Sequence, residues 1–211
     1  MKKGIIFDMD GTLWDSAAEV VASWNETVKK SGYSREPITT EDMQHVMGKT
    51  MDVIAQILFP DLEEAERQAL LARCGEEENE YLRVHGATLY PGIRETMELL
   101  KKKYHLYIVS NCQSGYIEAF LDYYKLHDLI EDIECYGNNE KQKGENIALL
   151  YRRNALDDAA YVGDIQGDYD ASMEAGVKFI HAAYGFGTIK DEVPEIHTFS
   201  ELKNVADQVL Q

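Results

Sequence analysis

Two aspartates stand two residues apart near the start of the chain, in the run Gly4-Ile5-Ile6-Phe7-Asp8-Met9-Asp10-Gly11-Thr12. Side chains two apart on a strand point to the same side, so Asp8 and Asp10 are expected to meet at its end. Two carboxylates held together repel, which raises one pKa unless a cation lies between them. Such a pair suits a division of labour between an ionised nucleophile and an acid/base. Gly11 then permits a tight turn and Thr12 offers a hydroxyl. The competing reading of the pair is a solvated strand end. A calcium loop is a poorer match, because Gly11 directly follows the second acid and no glutamate closes the loop.

A second acidic pair, Asp164 and Asp168, follows Gly163. Asp164 can ligate a cation, and Asp168 lies one helical turn further on. The competing reading is helix capping, in which an acid accepts the free N–H groups of a helix start. Ser110 and Asn111 end another apolar run, where a hydroxyl and nearby amides can hold phosphate oxygens or simply turn the chain. Lys143 lies beside Gly144 in a connection between elements, and most lysines in such places are solvated.

The elements that must position these residues alternate. Short apolar runs at 4–7, 106–109, 133–136, 159–162 and 177–183 read as buried strands, and helical patterns at 93–103, 116–124, 144–153 and 168–175 lie between the later ones. Strand alternating with helix predicts an α/β fold, a doubly wound parallel sheet of Rossmann-like type. Functional groups in such sheets gather beyond the carboxyl ends of the strands, where Asp8, Ser110 and Asp164 fall. Residues 16–87 carry only helical periodicity, with faces such as Val20, Val21, Trp24 and Val28. The expected organisation is therefore an α/β core of 1–15 and 88–211 with an inserted all-helical cap of 16–87. Its entry and exit lie at 13–16 and 86–92, where Tyr90-Pro91-Gly92 punctuates the return.

The bulk numbers narrow the partners. The chain has 211 residues with 45% hydrophobic, enough to bury a core without disulfides. Its net charge of −17 repels phosphate backbones and anionic lipid, so neither nucleic acid nor membrane is expected as a partner. An anionic small substrate then needs a locally positive site, which a bound divalent cation would supply. Cys74, Cys112 and Cys135 are odd in number and show no metal-type spacing, which points to a reduced cytoplasmic protein. The first apolar run is too short for a signal peptide, and no segment reaches the length of a membrane span.

In order and placement, Asp8-x-Asp10-Gly11-Thr12, Ser110, Lys143 and Gly163-Asp164-x-x-x-Asp168 resemble the four motifs of the haloacid dehalogenase superfamily. The resemblance spans nearly the whole chain. It is closest to the branch of phosphoglycolate phosphatases and β-phosphoglucomutases, whose helical cap enters after the first motif. It implies an aspartyl-phosphate on Asp8, with Asp10 as acid and then base. It implies Mg2+ held by the Asp8 carboxylate, the Asp10 backbone carbonyl and Asp164. Ser110 and Lys143 would bind the transferring phosphoryl group, with Thr12 and Asn111 beside it, and Asp168 would orient Lys143 or a metal-bound water. An acid at position 10 separates phosphate-ester chemistry from the dehalogenases, which lack one there.

The expected activity is hydrolysis of a small phosphorylated metabolite. The alternative on the same scaffold is a phosphosugar mutase; such mutases carry an arginine soon after a cap glycine, whereas Gly48-Lys49-Thr50-Met51 has a lysine. A catalytically idle binding protein is the third reading, against which the intact acids weigh. Specificity is expected from the cap, with Lys49, Trp14 and His45 as candidate substrate contacts. Trp24 is read as core. The substrate and the oligomeric state are not legible.

Overall fold

The computed structural model describes residues 1–211. Strand β1 (Lys3–Phe7) leads through a tight turn to the short strand β2 (Trp14–Asp15). Four helices follow: α1 (Ala17–Ser31), α2 (Thr40–Val46), α3 (Met51–Leu58) and α4 (Glu64–His85). The chain returns through β3 (Thr88–Leu89) and continues with α5 (Ile93–Leu100), β4 (His105–Ser110), α6 (Tyr116–Tyr124) and β5 (Asp132–Cys135). It then runs through α7 (Tyr136–Asn139), α8 (Lys143–Arg153), β6 (Asp158–Gly163), α9 (Gln166–Ala175), β7 (Lys178–Ala182), β8 (Glu195–Ile196) and α10 (Leu202–Val209).

Six strands form one sheet in the order β5-β4-β1-β6-β7-β8, and every pairing in it is parallel. Each inner strand is apolar on both faces because helices cover both. Ile6, Tyr107, Val109 and Tyr161 point to the side packed by α8 and α9. Ile5, Phe7, Leu106, Ile108 and Val162 point to the other, where the apolar cluster runs on without a break through α5 and α6 into the four inserted helices. That alternation is the two-residue period of a strand, hidden in the sequence because both phases are apolar.

The pairing register brings the chemistry together. Phe7 lies opposite Ile108 on one side and Val162 on the other. The residues that follow β1 and β6, and Ser110 at the end of β4, therefore emerge at one edge of the sheet. Strand order reverses around β1, and that crevice is where doubly wound sheets bind ligands.

Some elements differ from expectation. The short β8 and helix α10 fall after residue 183, where no element was expected, although Leu202, Val205, Ala206 and Val209 keep a helical spacing. The connections at 13–16 and 86–92 are not free linkers. Trp14 pairs with Leu89 and Asp15 with Thr88 as an antiparallel ribbon, and the Tyr90 N–H donates to the Leu13 carbonyl at 3.1 Å. The inserted helices thus stand on a two-stranded neck. They also lean on the sheet domain: α4 packs on α6, with Arg83 paired to Asp122 at 3.0 Å.

Candidate active site

Asp8 caps β1 and is buried, with its N–H donating to the Val162 carbonyl at 2.9 Å. That bond continues the β1–β6 ladder one residue past the strand and fixes where the carboxylate stands. Lys143, the first residue of α8, is also buried. Its ammonium donates to Asp8 Oδ1 at 3.0 Å and to Asp168 Oδ1 at 2.6 Å. Asp168 is fully buried, and its other oxygen accepts from the N–H groups of Asp164 and Ile165 at 3.0 and 3.1 Å. Asp168 thus caps the start of α9 with one oxygen and holds Lys143 with the other.

Asp164 completes the cluster. One oxygen accepts from the Phe186 N–H at 2.7 Å. The chain passes it closely on two sides, and only glycine fits there. Gly11 has φ of +80°, and a Cβ on it would collide with the Asp164 carboxylate; a Cβ on Gly185 would strike Asp164 and the Gly11 carbonyl. Carboxylate oxygens of Asp8, Asp164 and Asp168 lie within 4.8 Å of one another. With Lys143 the four side chains carry a formal charge of −2 in a dry pocket.

The electrostatics follow from that excess. Burial, helped by Asp168, pushes the Asp8 carboxyl up to about 7 against the pull of Lys143. Burial and the neighbouring Asp168 and Asp8 hold Asp164 well above the carboxylate range. Burial works against the Lys143 ammonium, but Asp168 and Asp8 outweigh it and raise its pKa, so it stays charged. Hard oxygen donors with two surplus negative charges fit a divalent cation of the Mg2+ type, which would return Asp8 and Asp164 to their ionised forms.

Asp10 is held differently. Its Oδ1 accepts from Ser16 Oγ at 2.6 Å and from the Tyr116 hydroxyl at 2.7 Å, and those two hydroxyls lie 2.8 Å apart. Burial raises its pKa to about 6, with Ser16 and Tyr116 restraining the rise. A carboxyl poised near neutrality and oriented by two donors is suited to giving and taking a proton. Neither Ser16 nor Tyr116 stands out in the sequence. Ser16 reads as a linker residue and Tyr116 as part of an apolar helix face; only the fold brings them to Asp10.

A cavity opens above these groups, with Asp10, Ser110 and Tyr116 on its floor and Val20, Trp24, Met43, Met47, Met51 and Ile54 in its walls. Lys49, Cys112, Gln113 and Glu78 also line it. Glu78 of α4 is only 3% exposed and accepts from Trp24 Nε1. Burial pushes its carboxyl up to about 7, with Trp24 and Gln113 holding it back.

Several candidate residues are placed elsewhere than the sequence suggests. Trp14 is fully buried and packs edge-on to Tyr116 and Phe120 at 5.4 and 5.0 Å. It braces the neck and does not reach the cavity. His45 is exposed on α2, with Nδ1 2.8 Å from the Glu41 carbonyl, and is not in the cavity wall. Lys49 does line it. Thr12 is buried with its hydroxyl toward Asp164 at 3.5 Å, so it sits beside a carboxylate rather than presenting a donor to the cavity. Asn111 spends its amide N–H on the Gly48 carbonyl at 2.9 Å, tying the loop before α3 to the end of β4. Trp24, read as core, is both buried and part of the wall.

Fold and site together define a doubly wound α/β protein with a buried carboxylate cluster at the end of its central strand. The chain matches the haloacid dehalogenase-like hydrolase family over residues 5–182 and belongs to it. It is a phosphoric monoester hydrolase, the class of its curated relatives. Phosphoglycolate phosphatase 1 of Pseudomonas aeruginosa is 27% identical, the match covering 98% of this chain and 80% of that protein. The phosphoglycolate phosphatase of Aliivibrio fischeri is 26% identical over 92% of this chain and 91% of its own. Among solved structures, a predicted phosphoglycolate phosphatase from Haemophilus somnus superposes with a TM-score of 0.83 at 22% identity, over 97% of this chain and 98% of that one. CbbY of Rhodobacter sphaeroides, solved with xylulose-(1,5)bisphosphate, gives 0.80 at 18% identity over 96% of each chain. At these identities the superpositions speak to the fold alone.

Proposed function

We propose that the chain hydrolyses a small phosphorylated metabolite through a covalent aspartyl-phosphate on Asp8. The observation that supports this best is the arrangement around Asp8: a buried carboxylate at a strand end, bonded on one oxygen to Lys143 and facing Asp164. A carboxylate is a weak nucleophile, and it approaches a phosphoryl group only when the negative charge between them is neutralised.

In this reading Asp8 attacks phosphorus and the bond to the ester oxygen breaks. Asp10, protonated, gives its proton to the departing alkoxide. The same carboxylate, now ionised, takes a proton from the water that attacks phosphorus, and the bond from phosphorus to Asp8 breaks to release phosphate. Lys143 and Ser110 hold the phosphoryl oxygens, and Asp168 keeps Lys143 in place. Asp8, Asp164 and the Asp10 backbone carbonyl would hold Mg2+. Bound there, the ion neutralises phosphoryl charge and keeps Asp8 ionised.

The inserted helices of 16–87 serve as a cap. They close the cavity over Asp8 and exclude stray water during transfer, and the paired neck of β2 and β3 with the Asn111–Gly48 bond is where closure is set. The curated relatives act on phosphoglycolate by name, which supports a small phosphorylated substrate, and the confined cavity agrees. Three buried, unbridged cysteines and the absence of any helix long and apolar enough to cross a membrane fit a cytoplasmic enzyme.

The test is hydrolysis of a panel of small phosphate esters with Mg2+ and with excess chelator. Release of phosphate that is abolished by chelator and restored by Mg2+ is expected. Hydrolysis unaffected by saturating chelator removes the assigned metal site.

A further inference from the structure

Glu78 does nothing in the chemistry just described, yet it is a carboxylate buried in the wall of the cavity above Asp10. Burying such a group is costly unless something uses it, and core packing on α4 would be served as well by a neutral residue. No lysine or arginine pairs with it. Trp24 Nε1 donates to it, and the Gln113 amide lies beside it. Trp24 in turn is stacked on Phe59 at 6.0 Å, which holds the indole and so the carboxylate in position.

The charges around the space sharpen the point. The residues lining the cavity include two carboxylates, Asp10 and Glu78, and a single cation, Lys49, whose side chain is exposed. Lys143 lies below, committed to Asp8 and Asp168. The rest of the wall is largely methionine, valine, isoleucine and tryptophan. A second anion on the substrate would enter a confined, weakly solvated space against Glu78, where like charges repel strongly. A group that donates a hydrogen bond would instead satisfy the free acceptor capacity of the carboxylate.

We propose that Glu78 is a specificity-determining residue that selects phosphate monoesters whose non-transferring end carries a hydrogen-bond donor, a hydroxyl or an ammonium, and turns away those ending in a carboxylate. The proposal rests on the phosphatase reading and narrows it. It separates this chain from relatives named for phosphoglycolate, whose distal group is a carboxylate.

A matched series tests it: ethylene glycol monophosphate, phosphoethanolamine and phosphoglycolate share a two-carbon frame and differ in the distal group. Ethyl phosphate, with the same frame and no distal polar group, reports the basal reaction. Assayed above about pH 7, where Glu78 is ionised, the purified protein with Mg2+ is expected to show kcat/KM for the hydroxyl or ammonium ester at least roughly tenfold above that for phosphoglycolate, since a site built to bond a donor discriminates strongly. In Glu78→Gln that ratio should narrow by roughly tenfold, because the amide keeps the shape and loses the charge. Preference for phosphoglycolate in the wild type, or an unchanged ratio in a folded Glu78→Gln protein, overturns the proposal. If the variant does not fold, product inhibition of the wild type decides: ethanolamine should inhibit more strongly than glycolate, and the reverse order overturns it. Turnover of ethyl phosphate with the wrong preference sinks the role of Glu78 alone. No turnover of any ester sinks the phosphatase reading and this proposal with it.

Discussion

Replacing Glu78 by glutamine should change how stability depends on pH, and the size of the change can be worked out. Burial pushes the folded-state pKa of Glu78 from 4.5 up to about 7. Between those values the folded protein binds a proton at this site that the unfolded chain has released. Stability therefore falls as pH rises, because the slope follows the protons bound unfolded minus folded. The contribution is fully present below about pH 4.5 and is lost as pH rises through about 7. A shift of that size corresponds to about 3 kcal/mol, an upper figure for a group this buried. The other buried carboxyls titrate in both proteins, so the difference between wild type and Glu78→Gln isolates this one. The assay is thermal or urea unfolding of both chelated proteins at intervals from pH 4 to about pH 8. The wild type should lose about 3 kcal/mol relative to the variant across that range, or roughly 6–12 °C in Tm for a chain of this length. Parallel curves would refute the reasoning, since they would mean that Glu78 is solvated or paired with a cation.

Other substitutions probe the remaining contacts. Tyr116→Phe removes one of two donors to Asp10; kcat should fall by about fivefold, for roughly 1 kcal/mol of lost hydrogen bonding, and the pKa of Asp10 in a pH–rate profile should rise. Trp14→Ala empties the aromatic cluster at the neck; it should cost about 3–5 kcal/mol in denaturant unfolding while leaving Mg2+ dependence as it was. Lys143→Met leaves the buried acids without their cation; turnover should drop by several orders of magnitude, and the chelated protein should be less stable by up to about 3–5 kcal/mol, an amount that shrinks at low pH as the acids protonate.

How far the sequence leads depends on the kind of signal. Asp8, Asp10 and Asp164 were legible because the strands that deliver them are short apolar runs with fixed exits, so their placement follows from local order; Lys143, at a helix start, was singled out only by the family resemblance. Helix 116–124 coincides with α6 for the same reason, since one face is apolar and Gly115 precedes it. The hydroxyls on Asp10 were not legible. Ser16 lies in the neck and Tyr116 is separated from it by the whole insertion, so their meeting depends on how α6 packs. Trp14 misled because an aromatic beside an acidic motif suits a wall or a core equally well, and only the neighbouring Phe120 and Tyr124 decide for the core. The contacts of Thr12 and Asn111 were not legible either. Each stands where a phosphate ligand could, yet its polar group is directed to Asp164 or to Gly48, a choice made by contacts distant in the chain. Glu78 was invisible within a run of five acidic and amide residues, Glu76 to Glu80. A surface helix and one with a single buried acid read alike there.

The central claim is that Asp8 carries the phosphoryl group. Its most direct measurement is chemical trapping during turnover: the protein is quenched in acid while hydrolysing its best ester, reduced with borohydride, digested and mapped by mass spectrometry. Borohydride converts an acyl phosphate to homoserine, so homoserine at position 8 is predicted in the wild type and none in Asp8→Asn, which should also be inactive. Turnover with no label at position 8, or an active Asp8→Asn protein, would contradict the account.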